Sequence, residues 1–248
     1  PMHYYKELLS TEKDDYAIYA LSPFEEEHRL LLLGTDVSTK YTRRSEDMYR
    51  RYAEYLKQVA ETKKGNYIAF FPSYQFMEQV YVQFLSLTED CGDIEYVMQS
   101  QYMSEEAREI FLENFEEERE KSLMGFCVMG GIFSEGIDLV EDKLIGAAII
   151  GTGLPQVCRE RELLKTYFDG KGYRGFDYAY LYPGMNKVLQ SAGRVIRTDE
   201  DRGVILLLDE RFGDVRYREI FPREWKTVWY CSLRNVKEQM HRFWEPEG

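Results

Sequence analysis

Residues 184–197, GMNKVLQSAGRVIR, hold the residue types best suited to phosphate chemistry. Wound as a helix at about 100° per residue, Met185, Val188, Leu189, Ala192 and Ile196 gather on one stripe, and Gln190, Gly193, Arg194 and Arg197 on another. One face packs. The other presents an amide, two guanidinium groups at i and i+3, and a glycine that lets a phosphate come close. Guanidinium cannot deprotonate at working pH and offers forked donors, so such a pair suits charge developing on a transferring phosphoryl group. A surface helix whose arginines pair with Asp199, Glu200 and Asp201 would carry the same pattern.

The usual companion of such arginines is absent. No GxxxxGK followed by Ser or Thr occurs: the only Gly-Lys pair, Gly170-Lys171, is followed by Gly172, and Lys165 stands where the first glycine belongs. A complete ATPase is thereby excluded. The run LLLDE at 206–210 imitates the strand-plus-acid pattern that holds Mg²⁺, but without a P-loop partner it reads as a strand end and no metal site is assigned. Gly151-Thr152-Gly153 departs from a dinucleotide fingerprint, with Pro155 intervening and Gln156 in place of the third glycine. The histidines (3, 28, 241) and cysteines (91, 127, 158, 231) are too scattered for a nucleophilic set, a paired zinc pattern or a disulfide scaffold.

These residues need a scaffold, and the composition supplies one. With 248 residues, 44% hydrophobic and 15% aromatic, the chain can bury one sizeable core. The 44 acidic residues outweigh 32 basic ones, giving −12, so any nucleic-acid contact must be local. Residues 159–197 carry eight basic against four acidic side chains, a local +4 that leaves −16 elsewhere. That segment is either a basic lip facing phosphate or a solvated face of salt-bridged pairs. No signal segment or run of about 20 apolar residues appears, so a reducing, cytoplasmic setting is expected, with no membrane partner. The first residue is Pro1, which suggests a piece of something longer.

Apolar runs at 16–21, 29–33, 68–71, 94–98, 123–129, 144–150 and 204–208 alternate with segments of helical period, which predicts an α/β domain with a mostly parallel central sheet. The runs at 144–150 and 204–208 are unbroken, as in strands covered on both faces. Helical faces are expected from Met48, Tyr52, Leu56 and Val59; from Phe76, Val80, Phe84 and Leu87; and, after a Ser104 cap, from Ala107, Ile110, Phe111 and Phe115. A further helix is expected around 159–168, then a glycine-rich loop at 169–175. In the tail, TVWY reads as a short strand and 233–243 as a closing amphipathic helix.

Gln190-Ser191-Ala192-Gly193-Arg194-Val195-Ile196-Arg197 resembles the QxxGRxxR motif of superfamily 2 helicases, and the neighbouring GVILLLDERF resembles the strand that continues it in the DinG/XPD-like family. GGIFSEGIDL (130–139) resembles that family's fifth motif, IAFFPSY (68–74) its fourth, and Ser22-Pro23-Phe24 the opening of the same half. The opening PMHYYKELL resembles the segment just behind the third motif, and GTGLPQVCRERELLKTYFD with YPGMNKVLQSAGRVIR is most like bacterial DinG-like members.

The resemblance implies that 1–248 is the second RecA-like motor domain of an ATP-dependent DNA helicase, a three-layer fold lacking its own P-loop, with 217–248 an extension packed on it. It implies that the missing P-loop belongs to a first motor domain, the partner that holds ATP and Mg²⁺. Any iron–sulfur cluster would sit in that absent part, and the fragment alone should hydrolyse nothing. By similarity Arg194 and Arg197 are arginine fingers with Gln190 beside them, while Gly193, Glu135, Gly136 and Asp138 border the nucleotide. Single-stranded or forked DNA would be gripped through its backbone by Ser73, Tyr74, Gly131 and Ser134, with five-prime to three-prime translocation and a role in DNA repair implied by the family. Tyr74 reads equally well as a core residue. The alternative reading is a non-catalytic RecA-like module that binds nucleic acid or protein.

Overall fold

The structure, a computed structural model, describes residues 2–9, 25–116, 119–133, 144–195 and 201–245. The expected strand at 16–21 and Ser22-Pro23-Phe24 lie outside them. Among the described residues seven strands form one sheet in the order β3-β4-β2-β5-β6-β1-β7, every pairing parallel. They are β1 (Arg29–Gly34), β2 (Asn66–Phe71), β3 (Ile94–Met98), β4 (Ser122–Val128), β5 (Gly146–Ile150), β6 (Gly203–Leu208) and β7 (Trp229–Cys231).

Helices cover both faces, as parallel strands require. Alternation along the strands divides the core in two. Leu30 and Leu32 of β1, with Tyr67, Ala69 and Phe71 of β2, join the cluster under α2 (Glu46–Thr62), α3 (Tyr74–Thr88) and α8 (Val236–Trp244). Leu31, Leu33, Ile68 and Phe70 point the other way, to the cluster under α4 (Glu105–Glu116) and α6 (Tyr182–Ala192). Strands β5 and β6 are buried at every position, as their unbroken aliphatic runs predict. The result is the three-layer α/β sandwich of a RecA-like domain.

Local sequence explains where the helices start. Ser45, Ser73 and Ser104 each accept from the amide three residues on (3.1, 3.2 and 3.2 Å), and Glu46, Asp47, Glu105 and Glu106 sit in first turns, where the helix dipole favours negative charge. The face of α4 differs from expectation at one residue. Phe111 and Phe115 are buried, Phe111 stacking on Phe133 at 4.3 Å, but Ile110 is 55% exposed. A step of about 100° carries Ile110 onto the solvent side once Phe111 is seated.

Three short pieces complete the frame. The tail adds β7 to the free edge of β1 and lays α8 on α2, with Val236 and Met240 fully buried. Helix α1 (Met2–Leu9) places Tyr4 against Tyr178 and Tyr182, ring centres 5.6 and 5.0 Å apart. Between α5 (Arg159–Gly170) and α6, residues Asp177–Leu181 form a π-helical turn that runs straight into α6.

Candidate functional site

In a parallel sheet the loops after the strands all emerge at the carboxyl edge, where ligands bind in open α/β folds. Ser73 and Tyr74 stand there, after β2. The Ser73 hydroxyl accepts from the Phe76 amide, so its first duty is to cap α3. Tyr74 is half-buried against the core and its hydroxyl accepts from Gln99 Nε2 at 2.8 Å, while Gln99 Oε1 accepts from the Val128 amide at 2.9 Å. Burial pushes the Tyr74 hydroxyl up from its ordinary range, so it stays protonated. The ring thus packs on the core while its hydroxyl reaches the carboxyl edge, and Gln99, itself 2% exposed, ties the ends of β2, β3 and β4 together.

The turn after β4 meets the same cluster. Gly130 has φ +69°, a left-handed conformation that favours glycine, and the Lys187 alkyl chain lies over it: a Cβ there would stand 3.0 Å from Lys187 Cε. The Gly131 amide donates to Val128 O at 3.1 Å, and a Cβ on Gly131 would reach Gln99 Nε2 at 3.3 Å. Gly131 therefore adjoins Tyr74 through Gln99, and Lys187 brings α6 to the same turn. Ser134, Glu135, Gly136 and Asp138 lie outside the described residues.

Helix α6 is anchored where it crosses the edge. A Cβ on Gly184 would stand 2.8 Å from Thr152 O, and one on Gly153 2.6 Å from Gly184 O, so the Gly-Thr-Gly turn after β5 seats the helix by backbone contact. Met185, Val188 and Ala192 are buried, and Gln190 and Gly193 are exposed on the other side, as the two stripes predict. The helix is shorter than expected. Gly193 ends it, its amide donating to Leu189 O at 2.9 Å, and Arg194 sits half-buried in the turn that comes next. The expectation of one helix through 184–197 is corrected to Tyr182–Ala192, because glycine is a poor helix former and interrupts the repeat. Arg197 and Ile196 lie outside the described residues.

Asp209, in LLLDE, is fully buried and accepts from five donors: Thr39 N and Oγ1 on one oxygen, with Arg211 N, Nε and Nη2 spread over both. Burial pushes its carboxyl up, but these hydrogen bonds and the Arg211 charge outweigh burial and hold it below the usual carboxylate range. Its lone pairs are spent on locking β6 to the loop after β1, and the donor set does not suit a cation.

That loop is the feature sequence reasoning missed. Lys40 and Arg43 pair with Glu210 at 2.9 and 3.6 Å, and the Arg44 guanidinium lies 5.4 Å from the Phe76 ring centre, beside the Ser73 cap. Tyr41 is 85% exposed. KYTRR does concentrate three cations and a tyrosine in five residues, but the partners that fix them, Glu210 and Phe76, are far away in sequence. In the basic segment 159–197, Lys165 pairs with Glu162 and Lys171 with Glu7, while Arg161 donates to Ala179 O and keeps its charge.

A family model described as the helicase C-terminal domain matches residues 56–228, from α2 to the threshold of β7. The chain belongs to this family. Within it the chain is of the DinG/XPD-like type of superfamily 2. It is 28% identical over 196 residues to the ATP-dependent DNA helicase XPD of Sulfolobus acidocaldarius, covering 75% of this chain and 32% of that protein. It is 26% identical over 221 residues to the general transcription and DNA repair factor IIH helicase subunit XPD of Dictyostelium discoideum, covering 84% and 27%. The chain therefore spans between about a quarter and a third of the length of the curated relatives it matches. A solved apo XPD superposes with TM-score 0.66 at 24% identity over 82% of this chain and 40% of the other, and an Xpd4 of S. tokodaii with 0.61 at 17% over 90% and 42%; these likenesses show the RecA-like fold.

Proposed function

We propose that this helicase C-terminal domain is the second motor lobe of an ATP-dependent DNA helicase, in which ATP and Mg²⁺ are held mainly by a first lobe and this chain closes over them. The observation that carries the reading is the end of α6: a buried stripe fixes the helix while Gln190 and Gly193 face outward with Arg194 one residue beyond, in the order the QxxGRxxR motif requires. Arg194, with Arg197 after it, supplies guanidinium groups to the phosphoryl group in transfer, Gln190 lies beside it, and Gly193 permits close approach. Glu135, Gly136 and Asp138 border the nucleotide. ATP, when bound, supplies the phosphoryl group; the chain's part is positioning and charge.

Ser73, Tyr74, Gly131 and Ser134 contact the backbone of single-stranded or forked DNA without reading bases, which the acidic overall charge tolerates. Gly130 and Lys187 join the turn on that side to the helix on the ATP side, so opening and closing of the lobes can be coupled to the strand. Translocation runs five-prime to three-prime in DNA repair. With both lobes joined, Arg194→Ala lowers DNA-stimulated kcat by roughly 10³-fold, the lower end for an arginine finger. Unchanged turnover in that variant overturns the reading.

A further inference from the structure

A cavity of about 350 Å³ opens at the other end of α6, between α1, the π-helical turn and the short helix α7 (Val215–Arg218). Its inner wall is a fixed aromatic cluster. Tyr178 stacks on Phe168 with ring centres 4.1 Å apart and meets Tyr182 edge-on at 5.4 Å. Tyr4 packs on both tyrosines, so the wall is formed before any ligand arrives.

Two residues that line the cavity each carry a buried polar atom without a partner among the described residues. Tyr178 is 2% exposed and its hydroxyl makes no hydrogen bond to them, and Arg216 Nε is buried and unbonded although Asp177 holds the same guanidinium through Nη2. A buried O–H and a buried N–H left without an acceptor are unfavourable, and two of them just behind the surface of one cavity favour a ligand rich in oxygen acceptors. Burial pushes the Tyr178 hydroxyl up to about 12, so it keeps its proton to donate. Arg174, exposed, adds a cation to the lining, and Glu219 offers an acceptor for hydroxyl or amino donors. Asp177, Tyr178 and Leu181 of the lining all lie on the π-helical turn, and such turns are frequent at functional sites.

We propose that this cavity binds one nucleotide, its phosphate oxygens accepting from Tyr178 Oη, Arg216 Nε and Arg174, its base against the tyrosine rings and its sugar or base donors toward Glu219. A bare phosphate would leave the aromatic wall and Glu219 unused. The site stands on the cavity alone and does not depend on the role of Arg194.

Calorimetric titration of the 248-residue chain with thymidine 5′-monophosphate, thymidine, inorganic phosphate and an oligothymidylate tests it. The monophosphate binds, with thymidine and inorganic phosphate each at least about tenfold weaker, and Tyr178→Phe weakens it about tenfold while the melting temperature holds. Arg174→Ala weakens it as well, in a variant that removes no buried contact. If the variants weaken the oligonucleotide and not the monophosphate, the bound unit is part of a strand; if the reverse, it is a free nucleotide. Absence of binding by both, inorganic phosphate binding as tightly as the monophosphate, or affinities unmoved by both variants overturns the proposal.

Discussion

Gln99 and Tyr74 share a 2.8 Å hydrogen bond at the carboxyl edge of the sheet, and the same amide takes the Val128 N–H. One side chain therefore joins the loops after three neighbouring strands, two of which carry proposed DNA contacts. Gln99→Ala leaves the Val128 amide and the Tyr74 hydroxyl without partners and should cost about 1–3 kcal/mol. Tyr74→Phe leaves one group, the Gln99 Nε2 amide, without its acceptor, where Gln99→Ala leaves two, and should cost less, about 1 kcal/mol. Urea unfolding of the two variants checks the order; equal losses would mean that Gln99 is not the shared partner.

The Asp209–Arg211 lock makes stability depend on acid. The Asp209 carboxyl sits below its ordinary range when folded, so its contribution is complete above the unfolded value of about 3.9 and is lost as pH falls through the folded value. Asp209→Asn should destabilise by about 3–5 kcal/mol at pH 7, because it leaves Arg211 uncompensated in a largely buried place. The gap between variant and parent should narrow as melting is followed downward from about pH 5 and the carboxylate takes up its proton. A constant gap would show that the charge on Asp209 is not what holds the loop.

Backbone contact between Gly153 and Gly184 sets the seat of α6. Ala at position 184 would place a methyl 2.8 Å from Thr152 O, a fixed neighbour, so Gly184→Ala should cost about 1–3 kcal/mol despite the better helix propensity of alanine. Gly193→Ala is the control, since a Cβ there meets only the backbone of its own helix, Leu189 O at 3.3 Å. Thermal melting should separate them clearly; equal shifts would show that α6 is not seated on the turn after β5.

Period and type were enough for the layers, and insufficient where rotation, termination or distant partners decide. The unbroken runs of β5 and β6 could only be strands covered on both faces. Ile110 and Phe111 are equally apolar, so periodicity could not settle which one faces the sheet; packing against Phe133 did. Val195 and Ile196 prolong the α6 pattern past Gly193, which hides the helix end in an otherwise regular repeat. The cations of 40–44 gain their meaning from Glu210 and Phe76, 166 and 32 positions along from Arg44, which no local pattern reveals. The orphaned Tyr178 hydroxyl is likewise a property of folding: nothing in DYAYLY distinguishes it from Tyr180, which donates to Glu162 at 2.6 Å.

Arg44 provides the most direct test of whether the loop after β1 lies on the DNA path. Its guanidinium lies near Phe76 and its Nε donates to Thr39 O, which fixes the side chain beside the Ser73 cap while leaving the residue exposed. A cation held in place at low entropy cost suits a phosphate. Each phosphate contact on a single strand contributes about 0.7 to the slope of log affinity against log salt. Arg44→Ala should therefore weaken oligothymidylate binding and make that slope shallower by about 0.7, with little loss of stability because the residue is at the surface. Lys40→Ala should do less, because Lys40 is already neutralised by Glu210 at 2.9 Å. Fluorescence anisotropy across a salt series measures both slopes. A slope unchanged by Arg44→Ala would remove the loop from the proposed interface and leave the α3 cap and the turn after β4 as its proposed contacts.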